Sequence, residues 1–300
     1  MYQSWLSLFI LLLVNVPGIC QSGKAVRLEW KFKEGEKFWV DTQTKIEQSE
    51  KFNTQVAANI VHMRTITSYL VKKVTENNSI ELEAKIESMQ YRNNQTPDSE
   101  KMSTLYSRLQ GATFRLILGA DLQVQKLEGY NEWLLKLSNM IPVSEVDRIR
   151  ALMPEADLRN AISEGFGFLP DKDVTLNQTW KKKTDLNLAP AGTLTTNLTY
   201  TYRGTDKGKE KITIDCKEQG KFTMSPGLAT PGTQSEFVMD NRTGTILFNN
   251  QTGKMEQAEH QYQTRGTILL PASVNSAPAT MLVINKIHVW QSVSPKPPSK

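Results

Sequence analysis

Cysteine is nearly absent, with two residues in a chain of 300, Cys20 and Cys216, which excludes a disulfide-dense scaffold. Histidine is also scarce. His62, His260 and His288 are the only three, far apart and each in a strand-like stretch, which leaves little room for a metal cage or several imidazole-based devices. Glycine at 17 and proline at 13 are too few for a collagen-like chain, and 39% hydrophobic residues are too many for a wholly disordered one. No apolar run approaches the roughly 20 residues that a membrane-spanning helix needs. Several chemical signatures are missing as well: no G-x-S-x-G elbow, no H-E-x-x-H, no P-loop and no C-x-x-C.

What is present begins with the apolar block Trp5 to Val14 (WLSLFILLLV), followed by Asn15-Val16-Pro17-Gly18. This has the length and the helix-breaking exit of a signal-peptide core, although no Lys or Arg precedes it. The expected leader is therefore 1–22, with cleavage after Cys20 or near Ser22. Pro17-Gly18-Ile19 ahead of Cys20 argues against a lipid anchor at that cysteine. Export to a periplasm, cell envelope or extracellular space follows from this leader as an expectation. Residues 1–20 carry no charged side chain, so the mature chain keeps the whole net charge of +5. Its positive residues are dispersed. Lys181-Lys182-Lys183 and the alternating Lys207, Lys209 and Lys211 read as a solvated sheet face or a guarded edge, so no specific nucleic-acid partner is expected.

Most of the chain alternates with period two, the mark of half-buried antiparallel strands. Ile80, Leu82, Ala84 and Ile86 face one way and Glu81, Glu83, Lys85 and Glu87 the other. With the Thr- and Ile-rich stretch from Met63 to Val74 and the turn at Glu76 to Ser79 they form a hairpin. Phe114, Leu116 and Leu118 turn at Gly119-Ala120-Asp121 into Leu122 and Val124. The polar stretch Arg92 to Ser103 reads as a loop. The period then changes. Trp133, Leu134, Leu137 and Ile141 fall on one helical stripe; Ser144 serves as N-cap to Val146, Ile149 and Leu152; and Pro154 opens a helix carrying Leu158, Ala161 and Ile162 that Gly165 and Gly167 stop. Strands resume at Trp180–Leu188, then at Leu194 to Tyr202, 209–217, 234–240, 244–249, 254–264 and 281–290. The Pro- and Lys-rich tail is expected to be disordered.

The predicted fold is α+β and mainly β: an antiparallel, curved sheet, half-barrel or sandwich-like, with a helical insert at 130–168. A single domain at 23–290 falls into halves 23–129 and 169–290, with a disordered tail at 291–300. Trp30-Lys-Phe-Lys and Trp180-Lys-Lys-Lys open the two halves alike, as a duplication would.

The residues that invite a chemical reading each have a plainer one. Cys216 is in phase with Ile212 and Ile214, which places it in the core as a small hydrophobe. Asp171-Lys172-Asp173 lacks the glycine and the final glutamate of a calcium loop. Gly165-Phe166-Gly167 ends a helix instead of following a strand, so it is no dinucleotide fingerprint. Glu81 and Glu83 lie on a solvated hairpin face. Sequons begin at Asn77, Asn94, Asn177, Asn197, Asn241 and Asn250, and carry meaning only in a eukaryotic secretory host. Trp30, Phe32, Phe38 and Trp39 cannot all share one strand face. One subset packs the core or lines an apolar groove. No catalytic, cofactor-binding or metal residue emerges, and no cofactor is expected.

Three stretches carry a resemblance: Leu28-Glu-Trp30-Lys-Phe-Lys-Glu-Gly35-Glu-Lys-Phe; Phe114 to Val124 with Leu127-Glu-Gly129, Leu169-Pro170 and Trp180; and Asn241-Arg-Thr-Gly244-Thr-Ile-Leu-Phe248-Asn-Asn-Gln-Thr-Gly253-Lys. They resemble an uncharacterised family of exported proteins, a domain of unknown function abundant in planctomycete-type bacteria, over most of 26–290. The resemblance implies a bacterial cell-envelope location and no mechanism. Its members are often lipoproteins, from which this chain departs at residues 17–19. The functional expectation is a non-catalytic envelope protein binding an apolar or lipid-like ligand. The alternative is a structural or protein–protein interaction module with an envelope partner, and a hydrolase ranks third.

Overall fold

The structure, a computed structural model, describes residues 24–94, 98–187, 192–216, 220–224, 235–270 and 279–299. In chain order its elements are β1 (Lys37–Phe52), β2 (Gln55–Val74), β3 (Ile80–Asn93), α1 (Asp98–Ser107), β4 (Thr113–Leu118), β5 (Val124–Glu128), α2 (Tyr130–Ser138), α3 (Val143–Leu152) and α4 (Glu155–Gly167). Then follow β6 (Thr179–Asn187), β7 (Gly192–Asp206), β8 (Lys209–Cys216), β9 (Lys221–Met224), β10 (Ser235–Asn249), β11 (Lys254–Leu270) and β12 (Ala279–Ser294). All the strands belong to one antiparallel sheet ordered β5-β4-β3-β2-β1-β12-β11-β10-β8-β7-β6, with β9 paired to β7.

This order has a simple logic. The chain starts in the middle of the sheet, zigzags out to the edge at β5, crosses to the other edge as helices, and zigzags back to the middle. There β12 pairs with β1 from Phe52↔Met281 to Trp39↔Ser294. The two edge strands are thus neighbours in sequence, joined by the helical stretch 130–168 that the change of period foretells.

Alternation decides which side chains meet. Leu82, Leu116, Leu118, Leu194, Leu198, Ile212 and Phe248 have no measurable exposure, and each comes from the inward set of its strand. The helices bury most of the stripes expected of them: Trp133, Leu134 and Leu137 from α2, Val146 and Ile149 from α3, and Ile162 with the half-buried Leu158 from α4, where Phe166 is buried as well and Ala161 is exposed. Large side chains buried this way each contribute about 1.5–3 kcal/mol. Phe38 packs inward on Tyr69 with ring centroids 5.3 Å apart, while Trp39 faces outward under the Lys37 ammonium.

Helix α4 also holds the sheet's two edges. Arg159 donates to the carbonyls of Val124 (3.1 Å) and Gln125 (3.2 Å), and the Val124 N–H donates to Ser163 Oγ (2.9 Å). At the opposite edge Thr184 Oγ1 donates to the Glu164 carboxylate (2.6 Å). Polar groups that an edge strand leaves open on β5 are therefore satisfied by the crossing helix.

Four local expectations differ from the structure. The stretch read as a loop, Arg92 to Ser103, runs into the first half of α1, because Leu105 and Leu109 bury against the sheet and Tyr106 stacks on Tyr91 at 5.0 Å. Helix α3 starts one residue before Ser144, with Pro142 as its cap, since proline's fixed φ suits that position. The segments 234–240 and 244–249 are a single strand, β10, carried through by a bulge at Asp240–Thr243 in which Asn241 adopts φ 46°. Finally, β12 runs past 290 because β1 offers partners as far as Ser294, and Arg64 donates to the Ser299 carbonyl (2.7 Å). Residues 188–191, between the strands expected at Trp180–Leu188 and at Leu194 to Tyr202, lie outside the described residues.

Candidate ligand-binding site

Sequence order alone would not bring Trp30 near Trp180, yet both close on the end of α4. The Trp30 indole N–H donates to the Phe166 carbonyl (2.8 Å), and the Trp180 indole N–H to the Phe168 carbonyl (2.7 Å). Two orphan carbonyls at a helix C-terminus are thus satisfied by tryptophans from the two halves. Around them Trp30 lies 5.2 Å from Phe166, 5.8 Å from Phe32 and 5.7 Å from Phe248. Gly253, at φ 63°, lets the β10–β11 turn lie directly on Lys31, where a Cβ would collide. Lys254 then reaches the Lys31 carbonyl and the Glu36 carboxylate (3.1 Å), with its ammonium over the Phe32 ring at 5.0 Å. Burial pulls the Lys254 amine below its ordinary value, against the opposing pull of Glu36.

Beside this aromatic cluster opens a cleft of about 680 Å³. Its walls are the segment before β1, the β2–β3 and β4–β5 turns and the end of α4. The apolar lining comes from Leu28, Trp30, Phe32, Ile80, Leu122 and Phe166, and charges at the rim come from Arg27, Glu29, Lys31, Asp121, Asp171 and Lys182. Lys182 Nζ donates to Asp171 Oδ1 (2.9 Å), and Arg27 to the Asp171 carbonyl (2.7 Å). A second hollow of about 340 Å³ lies between α4 and β6.

Behind the second hollow is a buried charged group that sequence reasoning missed. Arg242, on the inward face of β10, donates to Glu164 Oε1 (2.6 Å), stands 3.4 Å from His260 Nε2 and lies over the Tyr262 ring at 5.3 Å. Its Nε has no hydrogen-bond partner among the described residues. Burial pushes the Glu164 carboxyl up, but the Arg242 charge and the hydrogen bonds from Thr184 and Arg242 outweigh it and hold the carboxyl below its usual value. Burial, with Arg242 adding to it, pushes His260 down to about 3, so that imidazole is neutral. Burial also raises Tyr262 to about 12. The one sequence signal for this group was Arg242 itself, a cation in phase with Ile246 and Phe248.

Of the residues singled out in the sequence, Trp30, Phe32 and Phe38 converge on the cleft and its floor, and Trp39 does not. Cys216 is buried, with Thr196 Oγ1 3.2 Å from its sulfur. His62 is exposed, and His288 pairs with Glu259 at 2.8 Å on the outer face. Glu81 is held by Arg115 (2.7 Å) on the outer face, where Glu83 also lies. Asp171 meets Lys182 at the rim. Lys181 and Lys183 are exposed on β6, and Lys209 pairs with Glu256. The sequon asparagines Asn77, Asn94, Asn177, Asn197 and Asn241 are exposed, and Asn250 is half-buried. Among the described residues, no three His, Cys, Asp or Glu side chains stand close enough to hold a metal ion, and no helix is long and apolar enough to cross a membrane.

The fold and the cleft define a mainly β protein with one curled, unclosed antiparallel sheet whose two edges are tied by helices. The chain belongs to DUF6263, a family of unknown function whose model matches residues 66–255. No curated protein matches its sequence. Among solved structures it is similar to lipovitellin, in a study of lipid–protein interactions, over 90% of this chain at 10% identity and a TM-score of 0.41. It spans only 26% of that much longer chain. It is also similar to the outer membrane protein OprG from Pseudomonas aeruginosa, over 89% of this chain and 99% of that one at 8% identity and a TM-score of 0.20. A third similarity is to the COG4313 outer membrane channel from Pseudomonas putida F1, over 89% and 98% at 9% identity and a TM-score of 0.17. Likenesses at these scores carry no functional argument.

Proposed function

We propose that this chain is an exported, non-catalytic binding protein that takes an apolar or lipid-like ligand into the cleft beside α4. The observation that carries the reading is the cleft itself. At about 680 Å³ it has the size of a small-molecule site, and Leu28, Trp30, Phe32, Ile80, Leu122 and Phe166 give it an aromatic and aliphatic part beside its charged residues. The leader-like segment Trp5 to Val14 supports export to the cell envelope. The buried Glu164–Arg242–His260 group supports structure over catalysis, since its carboxylate and guanidinium neutralise each other and its imidazole is neutral.

Native mass spectrometry of residues 23–300, purified from an envelope fraction without detergent, tests the proposal. The expected result is an extra mass of lipid size that denaturation removes and that Phe32→Asp abolishes. A bare chain mass overturns it. A second reading, as a protein-interaction module, rests on Leu135, Met140 and Val143, each about two-thirds exposed along α2 and the start of α3. Co-purification of one envelope protein, lost in Leu135→Ser/Met140→Ser, would favour it.

A further inference from the structure

We infer that the far end of the middle strands, around the β1–β2 turn, is a docking surface for an anionic lipid membrane. It lies at the opposite end of β1 from the cleft and does not depend on the ligand reading. Phe38 faces inward, and no bulge interrupts the pairing of β1 with β2 or with β12, so each residue's face follows from its position. Alternation holds along most of the sheet and fails at this end. The outer positions of β11 run Gln257, Glu259, Gln261, Gln263 and Arg265. On β2 and β12 the outer positions nearest the β1–β2 turn are instead apolar at Val56, Ile60, Leu282 and Ile284. Phe52 closes β1 on the inner face, opposite Met281. Strands with apolar side chains on both faces suit apolar surroundings on both sides. Here those side chains meet solvent: Val56 is 64% exposed, and Phe52 and Ile60 are each 38% exposed. The segment also projects, since β2 begins at Gln55 and its pairing with β3 goes no further than Val61↔Asn93.

Charge selects the occupant. Across the outer face the register reads Val56↔Lys51↔Leu282 and Ile60↔Glu47↔Lys286, with Ile284 between the two rows. Glu47 is held by Lys45 (2.7 Å), and on the next strands Asp240 lies 3.5 Å from Arg265. Lys51 and Lys286 make no ion pair among the described residues. Glu50 faces inward and accepts from Gln48 (2.9 Å), and Glu236 stands off the patch on β10. Cations are therefore in excess on the outer face of β2, β1 and β12 at this end. A second copy stacked on the same patch would set Lys51 and Lys286 against their own duplicates. An anionic bilayer accepts both features. The apolar side chains lie at the acyl boundary, and the lysine stems carry their ammonium groups to the lipid phosphates.

The test is flotation of the full mature chain with vesicles of phosphatidylcholine alone or mixed with phosphatidylglycerol. The expected result is at least about ten-fold tighter binding to the mixed vesicles, a preference that high salt removes. Lys51→Gln/Lys286→Gln should abolish the preference. Val56→Asp, at an exposed site, should weaken binding to the mixed vesicles by about ten-fold. Leu135→Ser/Met140→Ser, on the other exposed apolar ridge, should change neither. Equal binding to both vesicle types overturns the assignment, as does full binding by Val56→Asp or loss of binding in Leu135→Ser/Met140→Ser. So does an absence of binding by protein with a native circular dichroism spectrum. A dimer in sedimentation equilibrium that Val56→Asp splits gives the surface to a second copy instead. Each of these failures leaves the apolar-ligand reading standing, because none of the substituted residues lines the cleft.

Discussion

Arg242 and Glu164 illustrate how a charge in the core is tolerated only through its partner. Arg242 is buried, whereas Glu164 is one-third exposed on the side of the hollow, so the pair is only partly desolvated. Removing one partner of a buried pair leaves the other unmatched, at a cost of about 3–5 kcal/mol when burial is complete. Arg242→Met should therefore cost roughly 2–4 kcal/mol, the reduction reflecting water in the hollow. Glu164→Gln added to it should recover most of that in urea denaturation; a double variant no more stable than the single would show that Arg242 acts through packing alone. His260 makes the pH prediction. Its folded value of about 3 lies below the ordinary imidazole value, so between these the unfolded chain binds more protons than the folded one. Stability must then fall as pH drops through that window, by at most about 1.4 kcal/mol per pH unit. The depressed Glu164 carboxyl adds a further loss once pH falls below the ordinary carboxylate range. Replacing His260 with Gln should flatten the curve between pH 6.5 and 4.5, and parallel curves for the two proteins would refute a neutral buried imidazole.

At the scale of elements, α4 does for the β5 edge what another strand would do. Arg159→Ala with Ser163→Ala should release the Val124 and Gln125 carbonyls and the Val124 N–H, at a cost of about 1–3 kcal/mol. Hydrogen exchange should rise at Val124 and stay unchanged across the β1–β12 pairing in the middle of the sheet. Uniform acceleration would mean that α4 supports the whole core instead of one edge. The strands and the α2–α4 crossing were legible because each carries one clear period, and because Pro142, Pro154 and Gly167 punctuate the helices. Helix α1 carried a signal too. Met102, Leu105, Tyr106 and Leu109 have helical spacing, but the polar residues around them concealed it, and only packing against β3 shows that the stripe is used. The cleft was half legible. Trp30, Phe32 and Phe38 drew attention by composition, while the part of Leu122, Gly167 and Lys182 depends on turns that meet only once the sheet has curled. Arg242 stayed hidden because a charged residue on an inward phase reads as a break in the pattern until its partner, 78 residues away, is found.

The whole molecule owes its shape to where the chain crosses. Because β5 and β6 are sequence neighbours at opposite edges, the segment between them must travel across the sheet, and by travelling as amphipathic helices it covers the inner face and reaches both edges at once. The stretches that carry the family likeness meet at this crossing. Trp30 and Trp180 hold the end of α4, Lys254 holds the segment before β1, and Arg242 holds Glu164. A structural role for these residues and a ligand cleft beside them are therefore the same arrangement, since the aromatic floor of the cleft is the joint between the halves. Replacing Tyr130–Phe168 with a flexible linker should leave the strand pairings possible while uncovering two sheet edges and the Trp30 cluster. Such a chain should keep its far-ultraviolet β signal, lose the near-ultraviolet signal of its tryptophans, bind a hydrophobic dye and elute as oligomers, as uncovered edges favour. A monomer with native near-ultraviolet dichroism would show that the sheet closes its core without help. The helices would then be an insertion on a finished fold, and the cleft at the end of α4 would lose its structural reason to exist.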